Sequence, residues 1–333
     1  MSLEFIAEVG INHNGSLEKA LLYCNKAKEC GANYVKFQTF KVGNILQEDT
    51  NLATYQKINT DFKSQNEMLK TSEISYKDFK IIKKYCKDIN IEFLTTGYDF
   101  EDIDFISKEL KCKKIKLASI SIVESSLLNM ALERFEKVII STGFTNQSEL
   151  ENISNQTKEF HHKINIMHCT SSYPCQIGDA NINSIKNLSL LFPESKLGFS
   201  DHTLGSIAAS TAVSLGAQIF EKHITLNKNE QGPDHIMSME PDEYHEYINT
   251  IKIAHKSLGG IDRIRTDSEN KNIKNMRRTL YSRKDIKKGE RIDFADLVLR
   301  RPNNIENQFL NPIGKKATQD IKCGEIIYKE LYE

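Results

Sequence analysis

Lys196-Leu197-Gly198-Phe199-Ser200-Asp201 reads as a short strand. A run of helical period, Leu204–Leu215, follows it, then Gly216, then a second β-rich run over Gln218–Thr225. A strand, a helix stopped by glycine and another strand make one β/α unit. Outward from here the unit repeats. β-rich runs fall at Phe5–Val9, Tyr34–Phe40, Ile91–Thr96, Lys114–Ser119, Lys137–Thr142 and Ile164–Thr170, with helical stretches such as Leu17–Cys30, Tyr76–Asp88, Asp102–Leu110 and Ser148–Glu159 between them. Gly31 stops the first helix as Gly216 stops the seventh. Eight such units in about 250 residues predict a (β/α)₈ TIM barrel, an α/β fold. The rival, a doubly wound sheet, usually carries a glycine-rich phosphate turn after a strand, and no GxGxxG or Walker sequence is present.

The pattern changes after Leu258-Gly259-Gly260. Residues 1–260 read as the barrel, 261–276 as a polar linker with room for a helical turn, and 277–333 as a small, mostly-β domain with turns at Lys287-Lys288-Gly289 and Lys322-Cys323-Gly324. So small a domain is near the limit of independent stability and needs something to pack on. The 333 residues carry 45 basic and 45 acidic side chains, which argues against a general nucleic-acid binder or a polybasic membrane-surface protein. The balance is uneven: residues 277–333 hold 13 Lys+Arg against 9 Asp+Glu, so the tail is basic and the remainder equally acidic. No stretch approaches the roughly 18 apolar residues of a membrane span. The opening residues Met1–Glu8 lack the basic and apolar regions of a signal peptide. Seven cysteines with no CxxC pair point to a reducing cytosol rather than a disulfide framework.

In such barrels the active site lies at the C-terminal ends of the strands, and polar residues crowd there. Glu8 ends the first strand, followed by Asn12-His13-Asn14-Gly15; Lys36 and Gln38 share one face of the second, and Glu221 and His223 share one face of the eighth. His202 and His223 end adjacent strands, so their imidazoles can hold one divalent ion, Mn²⁺ or Mg²⁺, with positions left for water and substrate oxygens. His161 and His162 read as surface residues, and His13 as a loop residue. Lys36 and Lys116, among Thr96, Ser119, Ser141, Thr142 and Ser200, form an anion clamp for phosphate and carboxylate oxygens. Schiff-base catalysis by either lysine is the second reading. Cys169 reads as a plain strand cysteine. Gln231-Gly232-Pro233-Asp234-His235 reads as a turn-forming loop.

These motifs together resemble the bacterial sialic acid synthase family. The resemblance rests on Ala7–Gly15, Val35–Thr39, Ile140–Gly143, His168–Pro174, Ser200–Thr203, Glu221–His223 and Gly232–His235, in one order along nearly the whole chain. It implies an enzyme that condenses phosphoenolpyruvate with an N-acetylated mannose-type amino sugar, releasing phosphate and a nonulosonic acid. It also implies Mn²⁺ on His202 and His223. Phosphoenolpyruvate would lie on Lys36, Thr96, Lys116, Ser119, Ser141, Ser171 and Ser200. Glu8 and Glu221 would stand beside the reacting centre, and Gln38, Tyr173 and Asp234 against the sugar. The tail, with Arg300-Arg301-Pro302, is similar to the antifreeze-like (SAF) domain of these synthases. The resemblance then implies a domain-swapped homodimer in which Arg301 reaches a partner's barrel mouth.

Two acceptors fit this reading: N-acetylmannosamine, and the 2,4-diacetamido-2,4,6-trideoxymannose that leads to N,N'-diacetyllegionaminic acid, with the loop Asn51–Asn66 as discriminator. The chain departs from the family after Lys116, where Leu117-Ala118-Ser119-Ile120-Ser121-Ile122 puts Ser121 in place of the usual acid, with Glu124 close in sequence. Gly97 follows Thr96 where Pro is common. A catalytically decayed, carbohydrate-binding barrel is the reading of another class.

Overall fold

The computed structural model describes residues 2–47, 50–302 and 310–333. The chain divides into two compact units, Met1–Gly259 and Gly260–Glu333. The first is a closed barrel of eight parallel strands in sequence order: β1 (Glu4–Gly10), β2 (Tyr34–Thr39), β3 (Glu92–Gly97), β4 (Lys114–Leu117), β5 (Lys137–Ser141), β6 (Ile164–Cys169), β7 (Lys196–Asp201) and β8 (Ile219–His223). The TIM barrel read from the repeating unit is therefore the fold.

A helix follows each strand: α1 (Leu17–Glu29), α2 (Tyr76–Asp88), α3 (Phe100–Asp104), α4 (Ser125–Arg134), α5 (Gln147–Gln156), α6 (Ser184–Leu191), α7 (Ile207–Ser214) and α8 (Pro241–Leu258). Their starts are set locally. Ser16, Ser75 and Asn146 accept from the backbone N–H three residues on, which satisfies donors at the first turns of α1, α2 and α5. Gly31 and Gly216 supply the left-handed backbone after α1 and α7, at φ +89° and +100°. The run read as one helix over Asp102–Leu110 is instead the short α3 continued by a π-helical turn, Phe105–Glu109.

Alternation along the strands sorts the side chains. Outward residues such as Phe5, Val35, Phe37, Phe93, Val138 and Phe220 join the helices in one large core. Inward residues form two layers. The lower is apolar, made by Ile6, Tyr34, Leu94, Ile139, Met167 and Ile219. Gly198 belongs to it because a Cβ there would lie 2.8 Å from the Ile219 carbonyl oxygen and from Met167 Cγ. The upper layer is polar and is described below. Under the apolar layer, Glu4 closes the barrel's N-terminal end: it accepts from Tyr34 Oη at 2.8 Å and pairs with Lys196 at 2.5 Å, while Lys114 donates to Tyr34 Oη at 2.7 Å.

The second unit holds the helix α9 (Asp267–Met276) and an antiparallel pair, β9 (Thr279–Ser282) with β10 (Leu297–Arg300). The stretch read as a linker thus contains three turns of helix, opened by a capping box of Thr266 and Glu269. Ile286, Ile292, Leu297, Ala317, Ile321, Ile327 and Leu331 make its small core. Gly289 and Gly324 turn at φ +79° and +82°. No helix among the described residues is long and apolar enough to cross a membrane.

The Glu4 cluster gives a pH test. Although burial pushes the Glu4 carboxyl up, the hydrogen bonds from Lys196 and Tyr34 hold it below its ordinary value. A carboxylate with a depressed folded pKa stabilises above its unfolded value and loses that contribution as pH falls through the folded one. Glu4→Gln should cost about 1–2 kcal/mol at pH 7 in urea unfolding, and the gap from the wild type should narrow below about pH 4.5.

Candidate active site

The C-terminal end of the barrel opens into a cavity of about 360 Å³. Of the fifteen residues to which the family resemblance gives roles, fourteen line it: Glu8, Lys36, Gln38, Thr96, Lys116, Ser119, Ser141, Ser171, Tyr173, Ser200, His202, Glu221, His223 and Asp234. The fifteenth, Arg301, belongs to the second unit, one residue beyond β10, and is exposed there.

The floor is a layer of four buried charges. Lys36 Nζ lies 3.2 Å from Glu8 Oε2 and 3.3 Å from Glu221 Oε2, and Lys116 Nζ lies 3.1 Å from Glu221 Oε1. Ser200 Oγ donates to the same Glu221 oxygen at 2.9 Å, Lys36 donates to Thr96 Oγ1 at 3.3 Å, and Gln38 donates to Glu8 Oε1 at 3.0 Å. Neighbours split the two carboxylates. Burial opposes ionisation of Glu221, but Lys116, Lys36 and Ser200 together hold it far below the usual carboxylate range. Glu8 has one ammonium near it, so burial wins and its carboxyl is pushed up. Burial presses equally on Lys36, yet Glu221 and Glu8 hold its ammonium above the ordinary value. Lys116 goes the other way, lowered by burial that Glu221 only partly offsets.

Above the floor stands a wall of hydroxyls. Ser141 Oγ is buried and has no hydrogen-bond partner. Ser119 Oγ accepts from the Gly143 N–H at 3.0 Å. A Cβ on Gly143 would fall 2.0 Å from Ser171 Oγ and 2.7 Å from Ser119 Oγ, so only glycine leaves this cradle open. With Lys36 and Lys116 beneath, the group matches an oxyanion with several oxygens.

His202 and His223 face one another with ring centroids 5.7 Å apart, and Tyr173 packs against His202 at 4.2 Å. His202 Nδ1 lies 2.9 Å from the Thr170 carbonyl, an arrangement that puts its proton on Nδ1 and leaves the Nε2 lone pair bare. Burial, then His202, pushes the His223 imidazole well down, so it is neutral, and its Nδ1 is buried with no hydrogen-bond partner. Burial resists charge on His202 as well, but Cys169 and the Thr170 carbonyl hold its imidazole above the ordinary value, so a divalent cation held by both rings would take the His202 lone pair in place of a proton. Among the described residues no group of three His, Cys, Asp or Glu is placed to enclose an ion, so further ligands would come from water and substrate. Asp234 lies 3.9 Å from His223 Nδ1, and its carboxyl is pushed up to about 7 by burial and then by Glu8.

Several sequence readings change here. Cys169 is more than a strand cysteine: its Sγ lies 3.7 Å from His202 Nδ1, and although burial resists, His202 and Lys116 pull the thiol down to about 7. His161 is buried, 3.0 Å from the Ser154 carbonyl and packed on Phe192, rather than on the surface with His162. Asp234 and His235 are buried, so their loop is no ordinary surface turn. Ser121 is buried in a 3₁₀ turn, Ser119–Ser121, off the cavity lining, and Glu124 is exposed just before α4. The cavity's outer wall is apolar, with Ile11, Phe40, Leu46, Met68, Leu69 and Tyr98, and Ala53, Gln56 and Gln65 join it from the loop expected to discriminate acceptors. Sequence reasoning quoted Gly143 within Ile140–Gly143 but gave it no role, and it passed over this wall. The dipeptide Thr142-Gly143 at a strand end was the one available signal for the first.

A model of the NeuB family matches residues 23–263. N,N'-diacetyllegionaminic acid synthase of Campylobacter jejuni is 36% identical over 328 residues, 97% of this chain and 98% of that protein. The protein of that name from Legionella pneumophila is 34% identical over 341 residues, 100% of this chain and 95% of its own. The crystal structure of N-acetylneuraminic acid (sialic acid) synthetase from Leptospira borgpetersenii, in complex with citrate, superposes with a TM-score of 0.71 at 30% identity, covering 82% of this chain and 90% of that one.

The cradle makes a prediction of its own. Gly143→Ala should fold once the half-buried Ser119 and Ser171 side chains turn aside, yet weaken binding of a phosphorylated ligand by roughly a hundredfold, as both hydroxyls are displaced from the cradle. Calorimetric titration with phosphoenolpyruvate checks it; unchanged affinity removes the cradle from the site.

Proposed function

This chain belongs to the NeuB family and is an enzyme, and from that premise we propose that it condenses phosphoenolpyruvate with an N-acetylated mannose-type sugar, giving a nonulosonic acid and inorganic phosphate. The observation that carries the proposal is the joint placement of two unpartnered buried atoms, Ser141 Oγ and His223 Nδ1, on one cavity floored by Lys36 and Lys116. One is a vacant donor in an anion cradle, and the other a vacant lone pair on the same cavity.

In this reading Lys116, Thr96, Ser119, Ser141, Ser171, Ser200 and the Gly143 N–H hold the phosphate and carboxylate oxygens of phosphoenolpyruvate. Lys36, held cationic by Glu8 and Glu221, stabilises negative charge as it shifts during reaction. That same pairing argues against a Schiff base on Lys36, which needs a neutral amine. Gln38, Tyr173 and Asp234 orient the open-chain sugar so that its carbonyl carbon faces C3 of phosphoenolpyruvate. A C–C bond forms there, water adds at C2, and the C–O bond to phosphate breaks. Glu221 is committed to its lysines, so of the two floor carboxyls Glu8 is the one able to hold a proton between these steps. A divalent ion, for which we favour Mn²⁺, would be held by His202 and His223 and would polarise the sugar's carbonyl oxygen as a Lewis acid.

Of the two acceptors, the wall favours the 2,4-diacetamido-2,4,6-trideoxy sugar. Its methyl and acetyl groups suit Phe40, Leu46, Met68 and Leu69, and no lysine or arginine of the cavity lining stands on that wall to meet a phosphorylated sugar. Seven free cysteines fit a reducing cytosol as the setting. The partner we infer is a second copy. Phe100, Ile120, Phe144, Ile177, Leu204 and Ile236 stand exposed on the loops and short helical turns that follow the strands at the barrel's C-terminal end, an apolar ring of the kind that interfaces cover. The antifreeze-like reading of the tail gives that copy's Arg301 a route to the cavity.

Phosphate release should require phosphoenolpyruvate, a divalent cation and a 2-acetamido mannose-type sugar together. The trideoxy diacetamido sugar should exceed N-acetylmannosamine in kcat/KM by roughly tenfold or more. His202→Ala should abolish release and Mn²⁺ binding together. No release with any acceptor would sink the proposal, and leave the decayed, carbohydrate-binding reading. Leu204→Glu should shift the mass seen by light scattering from dimer to monomer.

A further inference from the structure

The reaction above uses Ser200, His202, Glu221 and His223, and leaves the two charged residues interleaved with them without a part. Asp201 immediately precedes His202, and Lys222 immediately precedes His223. The two are register partners across the β7–β8 ladder. Alternation points them away from the cavity, toward α8, where both are buried, Asp201 at 1% and Lys222 at 2% exposure.

Their bonds form a clamp. Asp201 Oδ1 accepts from the Thr203 N–H at 2.8 Å and from Thr203 Oγ1 at 2.7 Å, which closes a turn around His202. Asp201 Oδ2 accepts from Tyr247 Oη of α8 at 3.1 Å and lies 3.4 Å from Lys222 Nζ. Lys222 Nζ also donates to the Thr203 carbonyl. The segment on either side of His202 is therefore tied to the residue next to His223, and through Tyr247 to the helix behind. On the other side the His202 carbonyl accepts from the Cys175 N–H at 2.8 Å.

An ion pair buried this deeply is a poor way to gain stability, because a packed apolar pair of similar volume does as well or better. What it adds is direction and fixed length. We propose that Asp201 and Lys222 are positioning residues that set the spacing of His202 and His223, and thereby the affinity of the site for a divalent cation. This rests on the assignment of those histidines as cation ligands.

The test uses the full-length protein, stripped with chelator and titrated with Mn²⁺ alone while free Mn²⁺ is followed by electron paramagnetic resonance. Removing one charge would strand the other, so the informative variant is Asp201→Asn with Lys222→Met, which cuts the tie across the strands and keeps the turn at Thr203. It should melt cooperatively and bind phosphoenolpyruvate without metal as the wild type does, yet bind Mn²⁺ roughly 10–100-fold more weakly. Tyr247→Phe keeps the ring, removes one hydrogen bond to Asp201, and should weaken Mn²⁺ binding by a smaller factor. A folded double variant with wild-type Mn²⁺ affinity overturns the inference and leaves the histidine assignment standing. Should the double variant not fold, Tyr247→Phe decides, and unchanged affinity there overturns it. A wild-type protein that does not bind Mn²⁺ overturns the histidine assignment first, and this inference with it.

Discussion

Four charges buried in the barrel interior set the terms for everything above them. Each of Glu8, Lys36, Lys116 and Glu221 would cost several kcal/mol to bury alone. They are tolerated because each lies within 3.3 Å of an opposite charge. The barrel's register makes this possible: Glu8 pairs with Lys36 across β1–β2, and Thr96 with Lys116 across β3–β4. A shift of one residue on any of these strands would turn a charge outward into the apolar core and an apolar residue into the cavity. The layer of charge is therefore a constraint on the fold as much as a feature of the site. The apolar layer of Ile6, Leu94, Ile139, Met167 and Ile219 beneath it keeps water out from below, so the charges answer mainly to one another and to whatever enters from above.

That arrangement is balanced when the cavity holds no substrate, with two ammoniums against two carboxylates. A phosphorylated carboxylate entering the cradle of Ser119, Ser141, Ser171 and Gly143 brings negative charge to a floor without surplus positive charge. Some group must take up a proton or a cation must accompany the ligand. The structure offers both means at the place where they are needed: Glu8, whose carboxyl burial already pushes up, and the imidazoles of His202 and His223 on the adjoining strand ends. On the proposed function, a metal-binding and an anion-binding half of the cavity would be two sides of one charge requirement. This is a physical reason for them to occur together.

How much of this is legible in the sequence depends on whether a residue announces itself by period or by contact. The eight strands do, because apolar runs at regular spacing have few other readings. Lys36 with Gln38, and Glu221 with His223, announce their shared face by spacing alone. Gly143 does not, because its contribution is the absence of a side chain and is visible only once Ser119 and Ser171 are seen closing on it. The wall of Phe40, Leu46, Met68 and Leu69 is hidden for another reason: Phe40 and Leu46 flank the four-residue helix Val42–Ile45, and Met68 and Leu69 lie in the six-residue helix Gln65–Lys70, both too short to show a period. His161 misleads because two histidines beside charged residues look like surface, and only the packing of Phe192 and the carbonyl of Ser154 shows otherwise.

Glu8 and Glu221 show how far neighbours alone can separate identical side chains. Both are buried glutamates, both face the cavity, and both touch Lys36. Glu221 adds Lys116 and Ser200, three donors in all, and is locked as an anion. Glu8 adds only Gln38, a neutral donor, and remains close to the point where a proton is worth holding. Exchange of one neighbour would erase the difference: a lysine in place of Gln38 would fix Glu8 as an anion, and loss of Lys116 would free Glu221. Acid–base character at this site is thus a property of strands β2 and β4 as much as of the glutamates on β1 and β8. The pairing of a committed carboxylate with an available one follows from which strands stand next to which in a closed barrel.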